Sequence, residues 1–270
     1  MNKTGFYTVQ LEADLKASWA IAKKDMRIYY IKPGTLMFGI LFPIFMFLSF
    51  AVGKNAPAVT LIPGLISITI LFSASSIGPM VIPTERRAKT FERLLSAPIS
   101  FRSIMIGKTL GGFLFSLAIS VIPLLIGLIW FGTQIASIIA LIAGLALASF
   151  CFATMGIMFG SFPTENPADV MLVLNFVRLP LIFISGLYIA VESLPAWGQV
   201  AAAFSPLTYA NDIIRYALEG KTVYGLVLDS IVLIVFIGFF LWAGMRIQRK
   251  FREGMGIRRK ITEKRDDERR

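Results

Sequence analysis

Residues Thr109 to Thr164 read TLGGFLFSLAISVIPLLIGLIWFGTQIASIIALIAGLALASFCFATMGIMFGSFPT, 56 residues without one charged side chain. About 20 apolar residues cross the hydrocarbon core of a bilayer as a helix, so this run holds two spans. The break between them falls at Gly132-Thr133-Gln134. Working outward, Pro33–Gly53 and Asn55–Thr84 are also free of charge, and two more spans fit Val170–Val191 and Gly225–Met245. A composition 56% hydrophobic with a mean hydropathy of +0.73 far exceeds that of a soluble domain. The expected fold is an all-α integral membrane protein with six transmembrane helices, at 34–53, 61–82, 109–131, 135–160, 170–191 and 225–245.

Lys and Arg set the orientation of such a chain. Residues 1–33 hold six, 83–108 another six and 246–270 eleven, whereas the opposite side keeps Lys54, Arg215 and Lys221. A multi-pass protein of the cell membrane with both termini cytoplasmic is expected. The net charge of +11 is then a topology signal with attraction to anionic lipid, and no nucleic-acid partner is implied. The first apolar run starts near Gly34 and is span length, which speaks against a cleavable signal. One cysteine, Cys151, excludes an internal disulfide. The absence of histidine excludes His-based metal sites and His general bases, so neither a catalytic residue nor a metal site is expected.

Residues 11–32 read as an amphipathic helix lying in the membrane interface. Leu15, Trp19, Ala22 and Met26 recur at helical spacing, with Asp14, Lys16, Lys23, Lys24 and Arg27 on the other face. On the external side, 192–209 contains Leu194, Pro195, Trp197 and Pro206 in an apolar stretch too short and broken to span. Two readings fit: a short reentrant helix over Pro195–Phe204 dipping into the outer leaflet, or a plain apolar loop. Residues 246–270, eleven basic and five acidic, continue the last helix as a cytoplasmic tail.

The loop at 83–108 is helix-prone and charged. Glu85–Leu95 places Phe91, Leu94 and Leu95 on one side as an apolar knob rimmed by Arg86, Arg87, Glu92 and Arg93, and Pro98 stops the helix. Spacing alone leaves two readings, a docking helix for a soluble partner or a solvated helix on the lipid headgroups.

The segment Glu85-Arg86 … Thr90-Phe91-Glu92-Arg93-Leu94-Leu95 … Pro98-Ile99-Ser100 … Gly107-Lys108 resembles the first cytoplasmic loop of ABC-2 type permeases. Ser185-Gly186-Leu187 … Ser193-Leu194-Pro195-Ala196-Trp197 … Ser205-Pro206-Leu207-Thr208-Tyr209 … Asp212 … Arg215 resembles their fifth-to-sixth-span region. The resemblance implies a half-transporter that pairs with a second copy or a paralogue. Each half would dock through a cytoplasmic coupling helix (Glu85, Arg86, Thr90, Phe91, Glu92, Arg93, Leu94, Leu95, Pro98) on a separate ATP-binding-cassette ATPase, which would bind ATP and Mg²⁺. It implies export of amphiphilic cargo such as drugs, antibiotics or lipid-linked molecules. Two departures stand out. Lys89 occupies a position where the family often has Gly, which predicts a less kinked helix, and Tyr188-Ile189-Ala190 lacks a common Pro.

The chain itself has no P-loop. Gly107-Lys108-Thr109 and Gly220-Lys221-Thr222 both have Arg, at 102 and 215, where the upstream Gly must stand. Within the spans the polar candidates are Asn175 and Arg178. Arg178 reads either as snorkelling or structural, or as lining a pathway. Ser73, Ser75, Ser76, Gly156 and Gly160 read as helix-packing residues. An ion-gradient-driven secondary transporter is the alternative function; the sequence shows no paired intramembrane acids to support it.

Overall fold

The computed structural model describes residues 3–30, 37–45, 58–188 and 191–267, and among them there is no strand. Helix α1 covers Lys3–Asp25 and runs on through a wider turn, Met26–Tyr30. Residues 37–45 are helical; the rest of the span expected at 34–53 lies outside the described residues. Then follow α2 (Ile62–Arg87), the short α3 (Thr90–Leu95), α4 (Phe101–Trp130), α5 (Ile138–Gly160), α6 (Pro167–Ile184), α7 (Ala196–Ala203), α8 (Pro206–Glu219) and α9 (Leu226–Asp267). Among the described residues, α2, α4, α5, α6 and the Leu226–Lys250 part of α9 are long and apolar enough to cross a membrane.

Local chemistry sets the boundaries. Ser100 Oγ accepts from the Ser103 amide at 3.1 Å to start α4, and Asn166 Oδ1 accepts from Ala168 at 3.2 Å to start α6, where Pro167 fills the first helical position. Gly220, at φ +73°, ends α8 in the left-handed conformation. Between α2 and α3 the chain turns sharply at Lys89, whose φ of +54° makes it the one left-handed non-glycine residue among those described. The expected less kinked helix over Glu85–Leu95 is therefore corrected. The chain breaks at Ala88-Lys89, and Glu85 and Arg86 belong to the last turn of α2. A residue with a Cβ pays a steric cost there that Gly does not, which explains the family's Gly.

Helix α2 is the hub. Its apolar window is 94% buried, against 39% for α4, 22% for α6 and 17% for α9, so the other helices pack around it. The tightest contact is with α5, where small residues let the backbones touch. A Cβ on Gly156 would stand 2.5 Å from the Ser75 carbonyl oxygen, and one on Gly160 2.5 Å from that of Gly78. The hydroxyls of α2 satisfy themselves locally, Ser67 on Pro63 at 2.8 Å and Ser73 on Thr69 at 2.6 Å. Near the other end Ser67 also donates to Asn211 Oδ1 of α8 at 3.1 Å.

Two substitutions test this frame. Gly156→Ala forces α2 and α5 apart and is expected to cost about 1–3 kcal/mol, read as a lower thermal midpoint of the purified chain. Lys89→Val is expected to fall about 1–2 kcal/mol below Lys89→Gly in the same assay, because only the branched residue resists the left-handed turn.

Candidate functional site

At the α3 end of the bundle, four charged side chains alternate in a buried network. Lys108 Nζ lies 2.6 Å from Glu85 Oε2 and 3.3 Å from Asp25 Oδ2, and all three side chains are almost fully out of water. Lys24, the half-exposed member, reaches Asp25 Oδ1 at 3.0 Å and also pairs with Glu85. The network joins α1, α2 and α4. It is possible because α1 approaches α4 closely beside Lys108: a Cβ on Gly107 would meet the Ser18 carbonyl oxygen at 2.6 Å. Ser18 Oγ in turn donates to the Ser103 carbonyl at 2.9 Å. Burial alone would depress the Lys24 ammonium, but the adjacent Asp25 and Glu85 outweigh it and hold the pKa above its ordinary value.

Arg86 forms the second tie. Its guanidinium donates to the carbonyls of Ser161 (3.1 Å), Thr164 (3.2 Å) and Phe162, and to Gln248 Oε1. One side chain thus closes the α5–α6 turn and binds it to α9. Phe91 inserts between the two ties, its ring centroid 5.7 Å from Arg86 Cζ and 5.8 Å from Lys108 Nζ. Leu94 and Leu95 follow it against Ile82, Ile104 and Met105.

The expected docking residues therefore divide. Glu85, Arg86 and Phe91 turn into the chain, and Leu94 and Leu95 are half-buried beside them, so the apolar knob is used internally. The physical reason is the break at Lys89, which folds α3 back against α2 and α4. Thr90, whose hydroxyl donates to the Glu85 carbonyl at 3.2 Å, is exposed, as are Glu92, Arg93 and Pro98. Lys89, Glu92, Arg93, Ser96 and Ala97 line an open depression of ≈ 530 Å³. On α1, the face turned to α4 is Ser18, Ile21, Ala22 and Asp25, while Leu15 and Trp19 remain exposed.

At the opposite end Pro195 and Trp197 are exposed, Leu194 is half-buried and Pro206 is buried at the start of α8. Asp212, nearly two turns into α8, organises the loop before α9. Its carboxylate accepts from the Val223 and Tyr224 amides at 2.8 and 3.0 Å, from Thr222 Oγ1 at 2.9 Å and from Arg215 at 2.9 Å. Beside it lies Asp229, buried in this chain with its carboxylate next to that of Asp212. The sequence reading missed this pair, because the two acids stand on different helices 17 residues apart.

In the middle of the bundle Arg178 is fully buried against α2 and does not snorkel. Nε and Nη2 donate to Ser75 Oγ at 3.0 and 2.7 Å, Nη2 also to Ser76 Oγ at 3.0 Å, and Nη1 to Asn175 Oδ1 at 3.2 Å. The Phe72 ring lies 4.9 Å from Cζ. Ser75 and Ser76 thus have a polar partner beyond helix packing. Their signal in the sequence was adjacency: two neighbouring serines in a span opposite the one basic residue placed within a span.

A family model described as ABC-2 type transporter matches residues 16–218, a stretch that holds the Lys108 network, Arg86, Arg178 and Asp212. The inner membrane transport permease YadH of Escherichia coli (strain K12) is 28% identical over 199 residues, which is 73% of this chain and 76% of that protein. The probable multidrug ABC transporter permease YbhR of the same strain is 26% identical over 160 residues, 57% of this chain and 42% of that one. A multi-pass all-α membrane protein matched in this way over most of its length belongs to the ABC-2 type transporter family, the membrane subunits of ATP-binding-cassette transporters whose ATPase is a partner chain.

Proposed function

We propose that this chain is the permease half of an exporter. It moves amphiphilic cargo outward across the cell membrane with its termini in the cytoplasm, paired with a second copy or a paralogue. Nucleotide and Mg²⁺ are bound by the ATPase partner, which docks on the outward face of α3. The observation that carries this reading is the anchoring of α3. Its apolar side is locked to α2 and α4 through Phe91, and α2 is locked to α1 through Glu85 and Lys108. A short helix held so firmly moves as one with the spans, so displacement of Lys89, Glu92 and Arg93 by a closing ATPase pair tilts α2 and α4 with it. The mixed charge around the depression suits a complementary groove that fixes orientation. The relative named a probable multidrug permease supports the cargo class.

One observation favours a second reading, an ion-gradient-driven transporter. Asp212 and Asp229 form the acidic pair that the sequence reading did not see. Both stand at the α8 end, and residues 93–164 and 170–191 contain no further acid to continue a proton path. Transport by the reconstituted complex that follows ATP and ignores the proton or sodium gradient decides for the exporter; the reverse decides for the second reading.

Reversing Glu92 and Arg93 together (E92R/R93E) should weaken ATPase association at least tenfold while the chain still inserts; undiminished co-purification and transport would sink the proposed interface. Lys108→Met leaves Asp25 and Glu85 buried without a full counter-charge and should cost about 3–5 kcal/mol in thermal unfolding. Adding Glu85→Gln to it should restore part of that loss. Lys24→Met, at the exposed edge, should cost less than a third as much by the same reasoning.

A further inference from the structure

Arg178 is a cation that this chain has no means to neutralise. It stands eleven residues beyond the start of α6, about 16 Å along the helix, which is half the thickness of a hydrocarbon core. Its hydrogen-bond partners there, Ser75, Ser76 and Asn175, are all neutral. They engage four N–H contacts of a group that has five donors. The sequence excludes a hidden counter-ion. No Asp or Glu occurs between Asp25 and Glu85, between Glu92 and Glu165, between Asp169 and Glu192, or between Asp229 and Glu253. A second copy of the chain brings the same acid-free spans. A buried charge of this kind is costly unless an anion meets it, so the anion comes from outside this chain and any identical copy of it.

The surroundings describe that anion. Ser76 Oγ donates to the Phe72 carbonyl at 2.6 Å and turns its lone pairs to the guanidinium, which orients it. With those four contacts made, one Nη1 hydrogen has no partner among the described residues, and a charge-assisted bond from it suits an oxygen of a phosphate or carboxylate. Asn175 is only half-buried, and the α6 surface beside it exposes Leu172, Phe176, Leu179 and Phe183. In this conformation Arg178 is fully buried, so a polar head meets it only where the half-buried Asn175, its hydrogen-bond partner, moves aside, while an apolar tail lies along that surface.

We propose that Arg178, with Asn175, Ser75 and Ser76, binds the anionic head group, phosphate above all, of an amphiphile lying against α6. Identifying this amphiphile with cargo rests on the export reading; the binding site does not. A membrane phospholipid and a transported amphiphile share the chemistry, so the test separates them.

The full complex with its ATPase is placed in nanodiscs of phosphatidylcholine and titrated with radiolabelled dodecyl phosphate, with uncharged dodecyl maltoside as the control. Wild type should bind dodecyl phosphate saturably. Arg178→Gln should weaken that binding roughly tenfold to a hundredfold, Arg178→Lys should retain most of it, and dodecyl maltoside should not respond to either change. Equal binding by wild type and a folded Arg178→Gln protein, or no saturable binding by wild type, overturns the proposal. If Arg178→Gln does not fold, Asn175→Ala carries the test with a several-fold loss expected, and unchanged binding overturns it. Competition by phosphatidylglycerol without a change in ATP hydrolysis identifies a resident lipid. Stimulation of hydrolysis by dodecyl phosphate, lost in Arg178→Gln, identifies cargo. Should the chain purify without any ATPase, the export reading fails, and the anion site is still judged on binding alone.

Discussion

Glu85 and Lys108, 2.6 Å apart and both out of water, join the last turn of α2 to the start of α4 and, through Asp25, to α1. Everything at this end of the molecule depends on that contact. A buried ion pair contributes little net stability compared with well-packed apolar groups, because desolvation offsets most of the attraction. Its value here is geometric. Charges that must stay paired permit one arrangement of three helices and penalise every slip between them. Phe91 then has a fixed socket, and α3 inherits its position from the charges beneath it.

The same demand for internal satisfaction shapes the rest of the bundle. Helices gain nothing from burying apolar surface in a solvent that is itself apolar, so close packing and hydrogen bonds must hold them together. Helix α2 answers with Gly78 against Gly156 and Gly160, with serines that bond their own backbone, and with Arg86, which reaches three carbonyls beyond the end of α5. The exposed apolar residues of α6 and α9, such as Phe176 and Val235, are the complement: they stand on the surface of the chain, where an apolar surrounding leaves them no cost of exposure.

How much of this was legible follows from the kind of signal each feature leaves. Span-length apolar runs announce themselves, so the α5 helix and the turn at Gly132 could be read directly. The family could be read too, because Thr90-Phe91-Glu92-Arg93 and Ser205-Pro206 stand in order on the loops. Amphipathic spacing was less informative. It grouped Phe91, Leu94 and Leu95 correctly but could not say whether their apolar side faced a partner or the chain itself. That answer depended on one backbone angle at Lys89, which no periodicity records. Arg86 looked like a rim charge and Glu85 like a member of the docking helix, because charge runs usually face outward; their partners Gln248 and Lys108 lie 162 and 23 residues away. Long-range pairs of this sort are invisible to local reading, and so was Asp229 beside Asp212.

Lys108 and Arg178 show two solutions to one problem. Both are fully buried cations, and each has an aromatic ring nearby, Phe91 at 5.8 Å and Phe72 at 4.9 Å. Lys108, near the end of the bundle, is given two carboxylates and becomes a fixed joint. Arg178, at mid-depth, is given only hydroxyls and an amide, which orient the guanidinium without cancelling its charge. A group kept solely for packing could be replaced by an apolar residue of similar volume with no desolvation cost. Retaining a guanidinium in an acid-free set of spans, and aiming it with Ser75, Ser76 and Asn175, preserves a local positive field that polar partners alone do not remove. A joint needs its charges matched, whereas a binding site needs one left over; the chain contains both, each held against helix α2.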